Sequence, residues 1–268
     1  MDKEYYTPKE VRELLGMTYS GLQNQINTGN LHPVIPPGRK QKLYLKQEVD
    51  TLKAEREAWE RSHIVSQAIP PPTFVKASTS DLPQMGELAE AIFGRANPLS
   101  LQTRGEWLQK NPAIDYVLKQ GDQIVGILSL VPLLPETIED LFQGRRKASD
   151  LVADDILPYV PGKTVDLFCL ALGVRQGASF SERRKWGELL LLGARRVLVN
   201  LGHLGICIRA LSAQSETAFG MHLMRRLGFT EIVAPLPGIH NFTIDVAPSG
   251  LPFLLDYKAV LRAQAKAD

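Results

Sequence analysis

Between residue 5 and about residue 62 the apolar positions recur at helical spacing in short runs broken by turn residues. In "TPKEVRELLG", Val11, Leu14 and Leu15 share one face, Thr7 suits an N-cap, Pro8 the first helical position and Glu10 the capping box. Gly16 ends that helix. Thr18 caps a second helix through Asn27 with Leu22 and Ile26 inward, and the turn between the two is of about three residues, a helix-turn-helix layout. "HPVI", a Pro-Pro-Gly turn and "KLYL" read as a small hairpin or wing. A third helix is expected from about Gln47 to Ser62, carrying Val49, Leu52 and Trp59.

Pro70 to Pro72 cannot continue a helix and mark a stiff spacer. Beyond them strand and helix signals alternate. "FVKAS" is a short strand, and Leu82, Met85, Leu88, Ala89 and Ile92 form a helical stripe. A second helix runs over about Leu101 to Lys110. "AIDYVLKQGDQIVGILSLVPL" is a hairpin around Gln-Gly-Asp-Gln. Residues 135–163 form a polar, proline-bounded insertion with one or two helices, and "TVDLFCLALGV" is a buried strand. Trp186, Leu189, Leu190, Ala194, Val197, Leu198 and Leu201 then mark a helix packed on a sheet, with Gly202 as its C-cap. The pattern gives two domains, 1–64 and 74–268, joined by a proline-rich linker at 65–73, in an α/β (α+β) arrangement.

Composition narrows the classes. With 44% hydrophobic and 22% charged residues the chain has a globular core, and a net charge of +2 gives no overall attraction to nucleic acid or membrane, so any such bias is regional. Cys169 and Cys207 each lie in an apolar run and read as buried thiols, not as a disulfide framework or a metal site. The charged start "MDKEYYTPKE" is unlike a signal peptide, and no apolar run approaches the roughly 18 to 20 residues that span a bilayer, so a cytoplasmic location is expected.

Charge is regional in the first domain. From Leu14 to Gln47 there is no Asp or Glu, while Arg39, Lys40, Lys42 and Lys46 fall in that stretch. An acid-free second helix and wing suit a phosphate backbone; the plain alternative is a solvated basic loop. "TPKEVRELLGMTYSGLQNQINTGNLHP" resembles the winged helix-turn-helix of MerR-like regulators and phage excisionases over residues 5 to about 55, with Arg12 in place of the usual small residue. The resemblance implies double-stranded DNA as partner. Tyr19, Ser20, Gln23 and Asn24 would then face base edges, and Arg39, Lys40 and Lys42 the phosphates. It also implies a homodimer on a palindromic site.

In "SERRKWGELLLLGARR", Arg183, Arg184 and Lys185 crowd a helix start, where the macrodipole disfavours cations unless an anion binds. Gly187 would allow close backbone approach. Arg184 to Gly187 resemble the "R/Q-x-x-G" of the GNAT acyltransferases, with Leu189 where a second Gly or Ala belongs. "GICIRALSAQSETAFGMHLMRRLGFTEI" resembles that family's second motif, and the likeness spans about residues 74–247. It implies a mixed sheet binding acetyl-CoA or another acyl-CoA, with pyrophosphate on the amides near Arg184, Lys185, Trp186, Gly187 and Glu188 and pantetheine along Leu170, Leu172 and Val174. It implies transfer to an amine or protein acceptor, with Asp166 as base; a structural carboxylate is the alternative at Asp166. Met224 stands where the family's acid Tyr is common and cannot donate a proton. Two readings follow: a DNA-binding regulator with an acyl-CoA domain, or an N-acyltransferase whose small domain recruits a protein.

Overall fold

The computed structural model describes residues 4–38, 41–64, 70–94 and 100–266, with the backbone alone at residue 56 and residues 58–64. Arg39, Lys40 and the side chain of Trp59 therefore lie outside the described residues. The chain divides into two compact units, 1–69 and 70–268.

In the first unit β1 (Tyr5–Tyr6) leads into α1 (Pro8–Leu14) and α2 (Tyr19–Asn27), then β2 (Pro33–Val34), β3 (Leu43–Leu45) and α3 (Lys46–Ile64). Thr7 and Glu10 form the reciprocal capping box of α1, and Gly16 takes the left-handed conformation (φ 58°) that closes it. Thr18 Oγ1 accepts from the Gly21 amide at 3.2 Å to start α2. The three strands order β1-β3-β2, all antiparallel. Val11, Leu15, Leu22, Leu31, Tyr44 and Val49 make the core, each helix burying one stripe. The sequence pattern missed β1, two residues too short to show an alternation, and placed the start of α3 one residue late.

The second unit runs β4 (Thr73–Lys76), α4 (Leu82–Phe93), α5 (Leu101–Lys110), β5 (Asp115–Gln120), β6 (Gln123–Leu133), α6 (Pro135–Phe142), β7 (Thr164–Val174) and α7 (Phe180–His203). It ends with β8 (Cys207–Ser215), α8 (Ala218–Arg226), β9 (Thr230–Ile232), β10 (His240–Asp245) and α9 (Pro252–Gln264). Among the described residues the sheet order is β4-β5-β6-β7-β8-β10-β9, with β7 and β8 its parallel pair. This is an α/β mixed sheet with helices on both faces.

Ile124, Ile127, Val131 and Leu133 of β6 join the core under α4, α5 and α6, while Val125, Leu128 and Leu130 join the core under α7 and α9. That two-sided cover is why "IVGILSLVPL" is apolar nearly throughout instead of alternating. Trp186, Leu190, Val197, Leu198 and Leu201 bury one stripe of α7, each contributing about 1.5–3 kcal/mol. Gly193 lets that stripe sit close, since a Cβ there would lie 2.4 Å from the Phe74 ring.

The 135–163 insertion lays α6 on the sheet. The sheet helps satisfy its last carbonyls: Gln214 Nε2 donates to Leu141 O, which also takes the Gly144 amide, and Asn241 Nδ2 donates to Phe142 O, both side-chain bonds at 3.0 Å. The C-terminal α9 was not foreseen. Its signal was present in Pro252 at the first helical position and the i, i+3, i+7 run Leu254, Tyr257, Leu261.

Candidate functional site

The parallel ladder from β7 to β8 begins at Thr164↔Cys207 and stops at Cys169↔Ala213. On its other edge β7 stays paired with β6 as far as Gly126↔Val174. Leu170 is the extra residue of a bulge, since Ser129 pairs with Ala171 and Leu130 with Cys169. From there on, the β8-facing edge of residues 170–174 has no strand partner among the described residues. Beyond Ala213, β8 continues to Ser215 paired only with β10. A sheet interior thus opens into a wedge at the carboxyl ends of two parallel strands, where unpaired backbone N–H and C=O groups are available to a ligand.

Two helices wall the wedge on one face. Cys169 and Leu172 pack against the core cluster that holds Trp186 and Leu190 of α7, and also against the cluster of Ala213, Phe242 and Met224 of α8, which Met221 joins. Positions 180, 184, 187, 191, 195 and 202 fall on one stripe of α7 by their i, i+3/i+4, i+7 spacing. The far half of that stripe is covered by α9: Arg195 Nε donates to Asp256 at 2.8 Å, and a Cβ on Gly202 would lie 3.1 Å from Tyr257. The near half is open. A Cβ on Gly187 meets nothing within 4 Å. By strand parity and helical position these residues outline a groove, with Leu172 and Val174 on the α7 face of the open edge, Phe180, Arg184 and Gly187 along one stripe of α7, and α8 on the same face.

The start of α7 lies ahead of the residues expected to cradle the phosphates. The helix begins at Phe180, capped by Ser179, whose Oγ accepts from the Glu182 amide at 3.2 Å while Glu182 accepts from the Ser179 amide at 3.0 Å. Hydrogen bonds from Ser179 hold the Glu182 carboxyl below its ordinary range. Arg184, Lys185, Trp186, Gly187 and Glu188 lie in the second and third turns, where their amides bond within the helix. The amides left without a partner among the described residues are those of Phe180 and Ser181. The sequence reading started the helix too late because it took the basic triplet, not Ser179-x-x-Glu182, as the beginning.

The side chains separate likewise. Trp186 is buried in the core and turns away from the groove. Arg184 Nε donates to Glu188 Oε1 at 2.9 Å. Arg183 donates to Gln176 Oε1 at 3.2 Å. Lys185 is exposed and has no ion-pair partner among the described residues. Leu170, Leu172 and Val174 are half-buried along the open edge.

Asp166, expected as a base, is paired with Arg209. Its carboxylate takes both Nε and Nη2 of Arg209, the first at 2.8 Å, and that bond holds the guanidinium above its ordinary pKa. It lies four residues before Leu170, about 13 Å along the strand, inside the closed ladder. Met224 is buried with Ala213 and Phe242. The Cys169 thiol is pushed up to about 12 by burial and carries no thiolate at neutral pH. His240 pairs with Glu231 at 2.7 Å, while His203 and His222 are exposed. Among the described residues no three His, Cys, Asp or Glu converge as a metal site.

One buried network escaped the sequence reading. Arg104 of α5 donates to Asp115, through Nε at 2.7 Å, and its Nη2 reaches the hydroxyl of Ser129, which donates to Asp115 at 2.6 Å. Ser129 is the cross-strand partner of Ala171 at the bulge. A cation three residues before Trp107 on a buried stripe was the available signal.

In the first unit Tyr19, Ser20, Gln23 and Asn24 are all exposed at the start of α2, Tyr19 by 67%. Lys42 is exposed at the entry to β3. Arg12 is half-buried, with its Nε buried and without a hydrogen-bond partner among the described residues. Glu48, the first acid after the acid-free run, is held by His32 through Nδ1 at 2.5 Å and the amide at 3.1 Å.

No family model matches the chain, and no curated protein matches it significantly. Among solved structures it is similar to an N-acetyltransferase from Staphylococcus aureus Mu50, at 14% identity and a TM-score of 0.42, covering 66% of this chain and 99% of that one. It is similar to yncA of Salmonella typhimurium, a putative acetyltransferase with its cofactor acetyl-CoA, at 17% identity and a TM-score of 0.40, covering 68% and 98%. It is also similar to the GphF GNAT-like decarboxylase in complex with isobutyryl-CoA, at 21% identity and a TM-score of 0.40, covering 58% and 72%.

Proposed function

We propose that the protein is a DNA-binding regulator whose second unit, a GNAT-like domain, binds acetyl-CoA or another acyl-CoA. The observation that carries the acyl-CoA half is the wedge at Cys169↔Ala213, with its unpaired β7 edge. A pantetheine arm is an extended chain of amides. Laid along residues 170–174 it supplies the hydrogen bonds that β8 stops supplying, as an added strand does. Leu172 and Val174 cover its methylenes, and the phosphates reach the Phe180 and Ser181 amides beside Lys185. The buried Met224, the committed Asp166 and the buried Cys169 thiol favour binding over turnover, so the domain is read as a sensor before a transferase.

The DNA half rests on the first unit. Its second helix presents Tyr19, Ser20, Gln23 and Asn24 outward, within a stretch free of carboxylates from Leu14 to Gln47. A homodimer on a two-fold site would double a contact area too small alone. The test is a thermal-shift series on the full chain with acetyl-CoA, longer acyl-CoAs and CoA, alongside binding selection on genomic DNA at two salt concentrations. Stabilisation by mass action and salt-sensitive DNA retention are expected. No shift with any thioester overturns the first half, and no salt-sensitive retention overturns the second.

A further inference from the structure

The open edge of β7 is least supported where the wedge begins. At Leu170 the β8 ladder has just ended, at Cys169↔Ala213, and the extra residue of the bulge interrupts the β6 ladder on the other side. From there to Val174, β6 is the strand that holds this edge among the described residues. The geometry of the edge therefore depends on how firmly β6 is fixed at that row.

Three polar residues fix it. Ser129 stands directly across from Ala171 on one side and from Asp115 on the other, so the three form one row through β5, β6 and β7. Residues directly opposite share a face, and onto that face α5 brings Arg104. Arg104 reaches Asp115 through Nε and Nη2 and Ser129 through Nη2, while Ser129 donates to Asp115. The guanidinium also lies 5.0 Å from the centre of the Trp107 ring. Exposures of 8% for Arg104, 0% for Asp115 and 1% for Ser129 put the whole group out of water. Such a group is a poor stability device, because the cost of desolvating the ion pair offsets its attraction. What it has and an apolar trio lacks is direction: a guanidinium fork, a carboxylate and a hydroxyl meet in one geometry, whereas apolar contact is non-directional. We propose that Arg104, Asp115 and Ser129 are positioning residues, tying β6 to β5 and α5 at the row where the wedge opens and so setting the spacing and angle of the unpaired 170–174 edge. They act through Ala171 and not on a ligand directly; the ligand arm of the test rests on the acyl-CoA reading above.

The experiment compares wild type, Ser129→Ala, the apolar set Arg104→Met/Asp115→Val/Ser129→Ala, and Ile156→Ala, a fully buried position of the 135–163 insertion outside this row. Each full-length protein is measured for melting temperature, for CoA affinity by titration calorimetry, and for hydrogen exchange of residues 168–174 without ligand. The apolar set leaves no unpaired buried charge, so it should melt within about 5 °C of wild type. It should nevertheless bind CoA at least about tenfold more weakly and exchange the protected amides of 170–174 about tenfold faster. Ser129→Ala keeps the ion pair and should lose about threefold in affinity. Ile156→Ala should lower the melting temperature more than Ser129→Ala does, yet leave affinity and exchange at 170–174 within about twofold, since edge amides exchange by local opening. Wild-type affinity together with wild-type exchange in the apolar set overturns the positioning role, and so does an equal loss of affinity in Ile156→Ala. If the apolar set does not fold, Ser129→Ala against Ile156→Ala decides by the same criteria. Absence of CoA binding in wild type overturns the acyl-CoA reading alone, and the exchange rates then decide the positioning role by themselves.

Discussion

On the acyl-CoA reading proposed above, substitutions at Gly187 separate stability from ligand binding in a single residue. It stands in the third turn of α7, inside a helix whose amides are already bonded, and a Cβ there meets nothing within 4 Å. Gly187→Ala therefore carries no steric penalty in the empty protein. Replacing a mid-helix glycine by alanine relieves about 1 kcal/mol of backbone entropy and propensity cost. For a unit of this size that raises the melting temperature by about 2–4 °C. Gly187→Val retains less of the gain, because the β-branched side chain loses rotamers against the preceding turn. The same methyl groups project into the open space beside α7, where the acyl-CoA reading places the ligand. Alanine should weaken CoA about threefold and valine by tenfold or more. Scanning calorimetry without ligand and titration calorimetry with CoA give both quantities for wild type and the two variants. A raised melting temperature with unchanged CoA affinity would show that the groove is not the ligand's path. A lowered melting temperature would show that the space beside Gly187 is occupied.

Replacing Arg39, Lys40 and Lys42 together by Ala should weaken DNA binding at low salt and reduce the slope of log K against log salt by up to about 2.7, read from a salt series of gel shifts. Asp166→Asn should cost about 1 kcal/mol, seen in denaturant unfolding, by breaking the Arg209 pair, and should leave CoA affinity and any acyl-transfer rate within about twofold; abolished transfer with affinity intact would restore it as a base. Asp155 is held below its ordinary range by its hydrogen bonds from Arg146, so its contribution is present above about pH 3.9 and is lost as the pH falls through its lower folded value. Asp155→Asn should accordingly narrow the stability difference from wild type as unfolding is measured from pH 7 down toward pH 3.

Local rules were legible where one element decides its own form. The Thr7–Glu10 box, Thr18 as a cap and the apolar stripe of α7 follow from side chains within a turn or two of one another. What depends on partners far along the chain was not legible. Asp166 looked available in the strand, and only the parallel register that sets Arg209 beside it removes it. Trp186 sat inside a motif match, yet the stripe it shares with Leu190 points it into the core. The wedge itself is a property of where two ladders stop, Cys169 on one edge of β7 and Val174 on the other, and no single segment encodes it. The basic triplet misplaced the helix start because composition drew more attention than the serine and glutamate before it.

The capping of α6 has a consequence for how the chain is made. Gln214 and Asn241 lie 73 and 99 residues beyond the carbonyls they satisfy. On a ribosome, α6 emerges long before either side chain exists: Leu141 O has only the local Gly144 amide until β8 is made, and Phe142 O stays in water until β10 has been synthesised. The seat of α6 on the sheet is therefore among the last features the second unit can complete, and such non-local closure is slow to form. A chain stopped after β9 would carry β8 without β10, its strand partner, and α6 with Phe142 O uncapped. The C-terminal third of the protein is in this sense a folding requirement for a helix encoded in its middle.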